Sequence, residues 1–220
     1  MAISPASDVA FSPSVKAVQT AKGSRKAYAA MEARDGWSRT IDDRLGAFLA
    51  ATRSAFLATA SADGQPYIQH RGGPAGFLKV LDDRTIGFAD LAGNRQYISM
   101  GNAAENPKAQ LFLIDYLHRQ RIKIWGTLSV VEDDPDLIAR LTPPEIADGT
   151  YRARVERAFI FSVTAWDVNC QQHIPQRFDA EDVARALTAR DEKIAALERE
   201  LAVLNEKIWL KEGCAGAGDD

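Results

Sequence analysis

The stretch Phe88–Asn106, FADLAGNRQYISMGNAAEN, holds the residues best suited to chemistry. It reads as the end of a strand up to Ala89, a break at Gly93, and a helix capped by Asn94 or Ser99 that runs toward Asn106. A strand that ends in a glycine-containing turn at a helix start presents free backbone N–H groups, and the helix dipole adds partial positive charge there. Arg95 adds a fixed cation that can grip two phosphate oxygens at once. A phosphate suits this arrangement. An ordinary strand-to-helix turn with a solvated arginine uses the same residues, and a lone Gly-Asn-Arg does not separate the two.

Further cations and amides fall at strand ends. Arg71 follows one strand at a Gly-Gly-Pro break, Arg121 and Lys123 share one face of another, and Gln171, Gln172, His173 and Arg177 crowd a short segment after the last. A solvated rim explains each singly. Several together fit an anionic, planar, polar-edged ligand, of which flavin mononucleotide (FMN) is an example. Trp125 and Trp166 are aromatic candidates to border its ring, or simply core. The three histidines, His70, His118 and His173, are too scattered for a metal site by local spacing, and no HExxH, GxSxG, GxGxxG or P-loop pattern occurs. Cys170 with His173 is a nucleophile pair only if the segment is helical, and it reads as extended.

Composition narrows the function classes. The chain has 220 residues, 46% of them hydrophobic, and a net charge of −3, which suit one globular domain with appendages and argue against a nucleic-acid groove. Two cysteines without a CxxC spacing make a disulfide framework or a structural zinc site improbable and point to a reducing compartment. The N-terminus lacks a charged start followed by an apolar core, and no apolar run approaches the roughly 20 residues of a membrane span. A soluble cytoplasmic protein is the expectation.

These residues need a scaffold. Residues 1–39 read as an N-terminal extension: disorder over 1–11, a helix started by Ser12-Pro13 and stopped by Gly23, then a helical piece over Ser24–Arg34. Thr40–Asp43 opens a helix with Leu45, Phe48 and Leu49 at helical spacing. Strands follow at Ala55–Ala60, Pro66–Arg71, Gly76–Leu81, Arg84–Ala89, Lys108–Tyr116, Arg121–Val131 and Ala158–Trp166, with Asp63-Gly64 as a hairpin turn and Gly126 as a bulge or close-approach point. Asp133-Asp134-Pro135 caps a short helix, and Thr142-Pro143-Pro144 reads as a loop. Short strands with hairpin turns and few crossover helices favour a mainly β, α+β antiparallel barrel. From Asp179 the pattern changes: Val183, Leu187, Ile194, Leu197, Leu201, Leu204 and Ile208 make a heptad seam interrupted by Arg190, a long helix over 179–213 before a disordered tail at 214–220. That helix packs on its own barrel or pairs with a second copy.

The run ATASADGQPYIQHRGGPAGFLKVLDDRTIGFADLAGNRQYISMGNAAENPKAQLFLIDY, then RIKIWGTLSVVEDDP, and later WDVNCQQHIPQRF, resembles the pyridoxamine 5′-phosphate oxidase-like FMN-binding split-barrel family over roughly residues 40–178. The N-terminal helical extension resembles that of a branch known only as oxidase-related. The resemblance implies a six-stranded antiparallel split barrel and a twofold homodimer with FMN at its interface. Carried over by position, it implies that Arg71, Asn94 and Arg95 hold the phosphate, and that Phe88, Ala89 and Asp90 pass beside the flavin ring. It also implies that Gln120 or Arg121 reaches the ring from the other subunit, and that Trp166 and Arg177 lie in the segment that closes the site.

Two departures stand out. Gln96 occupies the position of a family phosphate lysine, and the Arg-any-His pair that holds pyridoxal phosphate is missing before Arg177-Phe178. The expectation is therefore an FMN-dependent oxidoreductase acting on an unidentified small molecule, with Arg121, Lys123 or Arg177 stabilising charge at the ring and His173 as the candidate for a substrate contact or proton donor. A non-catalytic flavin-binding or redox-sensing protein is the alternative, and the same barrel with haem or a deazaflavin is a third reading.

Overall fold

A computed structural model describes residues 4–34, 36–168 and 171–215, with side chains through residue 209. Cys170 lies outside the described residues. The chain forms two compact units, one through Ile174 and one from Pro175 onward. The boundary falls a few residues before the expected 178/179 junction, and the N-terminal extension belongs to the first unit.

The extension begins earlier than its composition suggests. A 3₁₀ turn at Ala6–Val9 buries Ser7, whose hydroxyl donates to Glu32 at 3.0 Å, so the expected disorder over 1–11 does not extend to these residues. Glu32 also pairs with Arg25, and Arg25 donates to the buried Gln19 at 2.7 Å. The extension is thus ordered by polar contacts that a hydropathy pattern does not register. Helix α1 (Pro13–Ala21) starts at Ser12, whose side chain accepts from the Val15 N–H. Helix α2 (Arg25–Glu32) follows, and α3 (Asp43–Ala51) is capped by Asp42. Leu45 and Leu49 bury the inner face of α3.

Among the described residues seven strands form one antiparallel sheet: β1 (Ser54–Ala60), β2 (Pro66–Gly72), β3 (Lys79–Asp82), β4 (Thr85–Leu91), β5 (Lys108–Asp115), β6 (Gln120–Val131) and β7 (Val155–Val168), in the order β2-β1-β5-β6-β7-β4-β3. The α+β antiparallel fold is as expected, with the short β3 as one strand more than the six of the resemblance. Alternation drives the curl. Leu57, Leu111, Leu113, Ile122, Ile124, Phe159 and Phe161 from the middle strands share one core with Ile86 and Phe88 of β4. Burying each large side chain contributes about 1.5–3 kcal/mol. The long β6 pairs with both β5 and β7, and its register shifts between Trp125 and Gly126. A Cβ at Gly126 would collide with the Ser162 carbonyl and the Phe161 ring, so this is the close approach that the glycine suggested.

Helix α4 (Ile98–Glu105) joins β4 to β5, and α5 (Pro135–Leu141) is capped by the Asp134 side chain. A short helix, α6 (Pro144–Ala147), forms where the prolines suggested a loop, because proline suits the first turn of a helix. The second unit is dominated by α7 (Ala180–Ala215), a single 36-residue helix that passes the expected end at Gly213. None of the helices among the described residues is long and apolar enough to cross a membrane.

Candidate anion site

The strand and turn around Asp90–Tyr97 form one wall of a cleft, and β2, β7 and the first turn of α4 supply the rest. On β2 the alternation exposes Ile68 and His70 and turns Gln69 and Arg71 the other way. Arg71 is largely buried, pairs with Asp90 of β4 and donates to Gln69 at 3.1 Å, and its guanidinium lies 5.0 Å from the Phe159 ring. Its Nε is buried without an acceptor among the described residues. A buried donor left unpaired costs about 1–3 kcal/mol, which an oxygen-rich ligand would recover.

The turn that carries Asn94 and Arg95 differs from the expected one. Gly93 is not the residue with the unusual backbone; Arg95 and Tyr97 are, with φ of 59° and 55°. Left-handed backbone at non-glycine residues costs of the order of 1–3 kcal/mol and concentrates at functional sites. Tyr97, not Asn94 or Ser99, occupies the N-cap of α4, and no side chain caps it. The first N–H groups of α4 therefore have no side-chain partner at the end where its dipole is positive. Asn94 and Gln96 bond to each other, with the Gln96 N–H donating to Asn94 at 3.3 Å, and it is Asn94 and Arg95 that line the cleft. Arg95 reaches Glu156 at 3.4 Å with most of its side chain in solvent.

Arg157 on β7 completes the basic wall, and reading the sequence alone misses it. It is buried, lies 3.6 Å from Asp90, 3.1 Å from Glu156 and 3.1 Å from Glu132, and stacks 5.0 Å from the Tyr97 ring. Gln69 and Ser99 also line the cleft, with the Ser99 hydroxyl donating to Gln69 at 3.1 Å. The overlooked signal is an Arg immediately ahead of an apolar strand run: β7 starts at Val155, three residues before the apolar Ala158–Trp166 stretch.

Charge and burial oppose one another here. Burial lowers the Arg71 guanidinium pKa from its ordinary value against the pull of Asp90. Burial likewise raises the Asp90 carboxyl above its usual range, although both Arg71 and Arg157 pull it down. Asp90 thus contributes its side chain to the cleft, beyond the backbone role that the resemblance implies. Phe88 is core and packs at a tilt against the Phe159 ring, 5.4 Å away, and Ala89 is buried. The β3 ladder ends at Gly87, so Phe88–Leu91 have a strand partner on the β7 side only.

Within the first unit the remaining candidates stand apart from this cleft. Trp166 is nine residues beyond Arg157 on β7, roughly 30 Å of strand at about 3.3 Å per residue. It is buried, and its indole N–H donates to the Thr40 carbonyl at 2.8 Å. Trp125 stacks on Trp37 of the extension at 4.6 Å, and Lys123 lies 5.1 Å over Trp125 and 3.6 Å from Asp167. Burial raises the Asp167 carboxyl against the pull of Lys123. Gln120 and Arg121 open β6, and the Arg121 Nε is also buried without an acceptor. His173 is exposed with φ of 64° and does not line the cleft. Arg177 belongs to the second unit. No group of three or more His, Cys, Asp or Glu suited to a metal ion occurs among the described residues.

The sequence model described as pyridoxamine 5′-phosphate oxidase matches residues 41–159. No curated protein matches the chain. Solved structures similar to it include HupZ of Group A Streptococcus (18% identity, 63% of this chain and 99% of that one, TM-score 0.46). An FMN-binding protein from Syntrophomonas wolfei has 15% identity over 69% of this chain and 97% of that one, with TM-score 0.46. HutZ, the haem storage protein from Vibrio cholerae, has 17% identity over 58% and 94%, with TM-score 0.41. With more than half of its length matched by the family's model, from the helix ahead of β1 to the Phe159 beside Arg71, the chain belongs to the pyridoxamine 5′-phosphate oxidase family.

Proposed function

We propose that the protein is a cytoplasmic, homodimeric flavoprotein that binds FMN by its phosphate in the Arg71–Asn94–Arg95 cleft and oxidises or reduces an unidentified small molecule. The observation that carries this reading is the buried Arg71 Nε without an acceptor, beside Arg157 and the uncapped start of α4. Two guanidinium groups and backbone N–H groups suit a phosphate dianion.

FMN, when bound, supplies reversible electron transfer. The chain's own residues do the rest. Arg71 and Arg95 grip the anion, Asn94 orients the turn, and Phe88–Leu91 offer the free edge of β4 to a polar-edged ring. Gln120 and Arg121, apart from the cleft in one chain, are the groups for a partner to contribute, and the unpaired Arg121 Nε supports that role. Lys123, Trp166 and Arg177 support the same interface, and His173 is the proposed proton donor. Because the Arg-any-His pair before Arg177 is missing, pyridoxamine phosphate is not the proposed substrate.

The purified protein is expected to show a flavin band near about 450 nm, or to acquire it on FMN addition. Arg95→Ala is expected to weaken FMN binding by about 1.5–3 kcal/mol, the loss of charge-assisted hydrogen bonds. Unchanged affinity in both Arg95→Ala and Arg71→Lys would remove the cleft from the phosphate role. Rapid-mixing reduction by NADH or NADPH then tests the redox half of the proposal, and a flavin that neither reduces leaves binding alone.

A further inference from the structure

Helix α7 carries an apolar seam that remains exposed for its whole described length. Leu187, Ile194, Leu201 and Ile208 occupy the a positions of a heptad, and Val183, Leu197 and Leu204 the d positions; each of these side chains is at least 44% exposed. Such a stripe on a 36-residue helix leaves apolar surface in water, and helices in proteins draw most of their stability from packing that face against a partner. The flanking charges identify what covers it.

In a parallel two-stranded coil each g residue meets the e residue five positions on in the other strand. Here Lys193 at g meets Glu198 at e in both directions, while Ala186 meets Asp191 and Glu200 meets Asn205. None of these contacts sets like charges together. In an antiparallel pair each of the e and g rows faces itself: the register that sets Lys193 against Glu200 also sets Asp191 against Glu198, so its attractive g–g contacts are offset by like-charged e–e contacts, which the parallel pair lacks.

Arg190 interrupts the seam at a d position and already holds Asp191 at 3.0 Å. In a parallel in-register pair that carboxylate sits beside the opposing arginine as well. A two-stranded coil lets the guanidinium reach water, whereas a three-stranded core would bury it at the several-kcal/mol cost of an enclosed charge. A polar residue at one core position is a known specifier of register and strand number.

We propose that α7 pairs with α7 of a second copy of this chain as a parallel, in-register, two-stranded coiled coil. The pairing uses no residue of the anion cleft, so it stands or falls separately from flavin binding.

The test uses the full-length protein with Cys170 and Cys214 replaced by Ser. Val183→Cys and, separately, Leu204→Cys place a thiol at a d position near each end of the seam, and Arg199→Cys places one at the outward f position. Oxidised glutathione is expected to convert both d-position variants to covalent dimers at least about tenfold faster than the f-position control, as befits an intramolecular-like effective concentration. An antiparallel pair holds the two thiols of Leu204→Cys on the order of 20 Å apart, from the 1.5 Å helical rise, and a helix folded back on its own chain holds them apart too. Cross-linking at either d position no faster than at residue 199 overturns the proposal, and FMN titration of the reduced variants, expected to be unchanged, reads the cleft independently.

Discussion

Arg71 on β2 and Asp90 on β4 form an ion pair across a seam where no strand ladder runs. β2 pairs with β1 only, and β4 pairs with β7 and β3. The β2 edge of the sheet and the part of β4 that runs beyond β3 are therefore joined here by side chains. An opening in the backbone ladder lined by buried charge is a place where an anion can enter and compete for the arginine. That relationship underlies the first two predictions.

Arg71→Lys keeps the charge and loses the planar fork. FMN affinity, measured by fluorescence quenching of the free flavin, is expected to fall about tenfold, while the pairing with Asp90 keeps the variant folded.

Asp90→Asn tests the opposition of burial and charge. The folded-state carboxyl is raised above its usual value of 3.8, with burial as the main cause. A raised carboxyl contributes stability that is present below its unfolded pKa and is lost as pH rises through the folded one. The neutral Asn avoids that loss. Urea midpoints measured from pH 3 to 7 are expected to shift progressively in favour of the variant as pH rises. A stability difference independent of pH would show that Asp90 ionises as freely as an exposed carboxylate. The same substitution removes the anion's competitor for Arg71, so phosphate and FMN affinity at pH 7 are expected to rise.

Gly126→Ala drives a methyl group into the Ser162 carbonyl and the Phe161 ring. Strand backbone is the less yielding of the two, so thermal denaturation is expected to show a loss of about 2–3 kcal/mol, at the upper end of overpacking costs.

Trp37→Ala removes the stacked partner of Trp125 and one of the two indoles under Lys123. The stack alone is worth about 0.5–1.5 kcal/mol. Limited proteolysis is expected to cleave the extension before α3 several-fold faster than in the unmodified chain, with the barrel itself intact. Equal cleavage rates would mean that Trp37 does not hold the extension down.

Much of the scaffold is legible in residue order. Alternation in Ala55–Ala60 and Lys108–Asp115, the Asp63-Gly64 turn, the Ser12-Pro13 start and the heptads after Asp179 are local patterns, and each forms the element it suggests. Elements whose cause is not local are less so. The left-handed backbone at Arg95 and Tyr97 replaces the expected glycine turn, and the order of Ala6–Val9 rests on Glu32, 25 residues from Ser7. Among the candidate site residues, Arg71, Asn94 and Arg95 line one cleft, while Lys123 and Trp166 are held by Trp37, Asp167 and Thr40.

The sequence by itself determined the class of fold, because hydrophobic period and turn chemistry act over a few residues. It also determined the chemical character of the site, because Arg71, Asn94 and Arg95 are cations and amides wherever they lie. Tertiary structure decided which charges share a cleft: Arg157 joins Arg71 through Asp90, at sequence separations that no local pattern reports. It also decided protonation tendencies, since the raised Asp90 carboxyl comes chiefly from burial, which exists only once distant strands close over it.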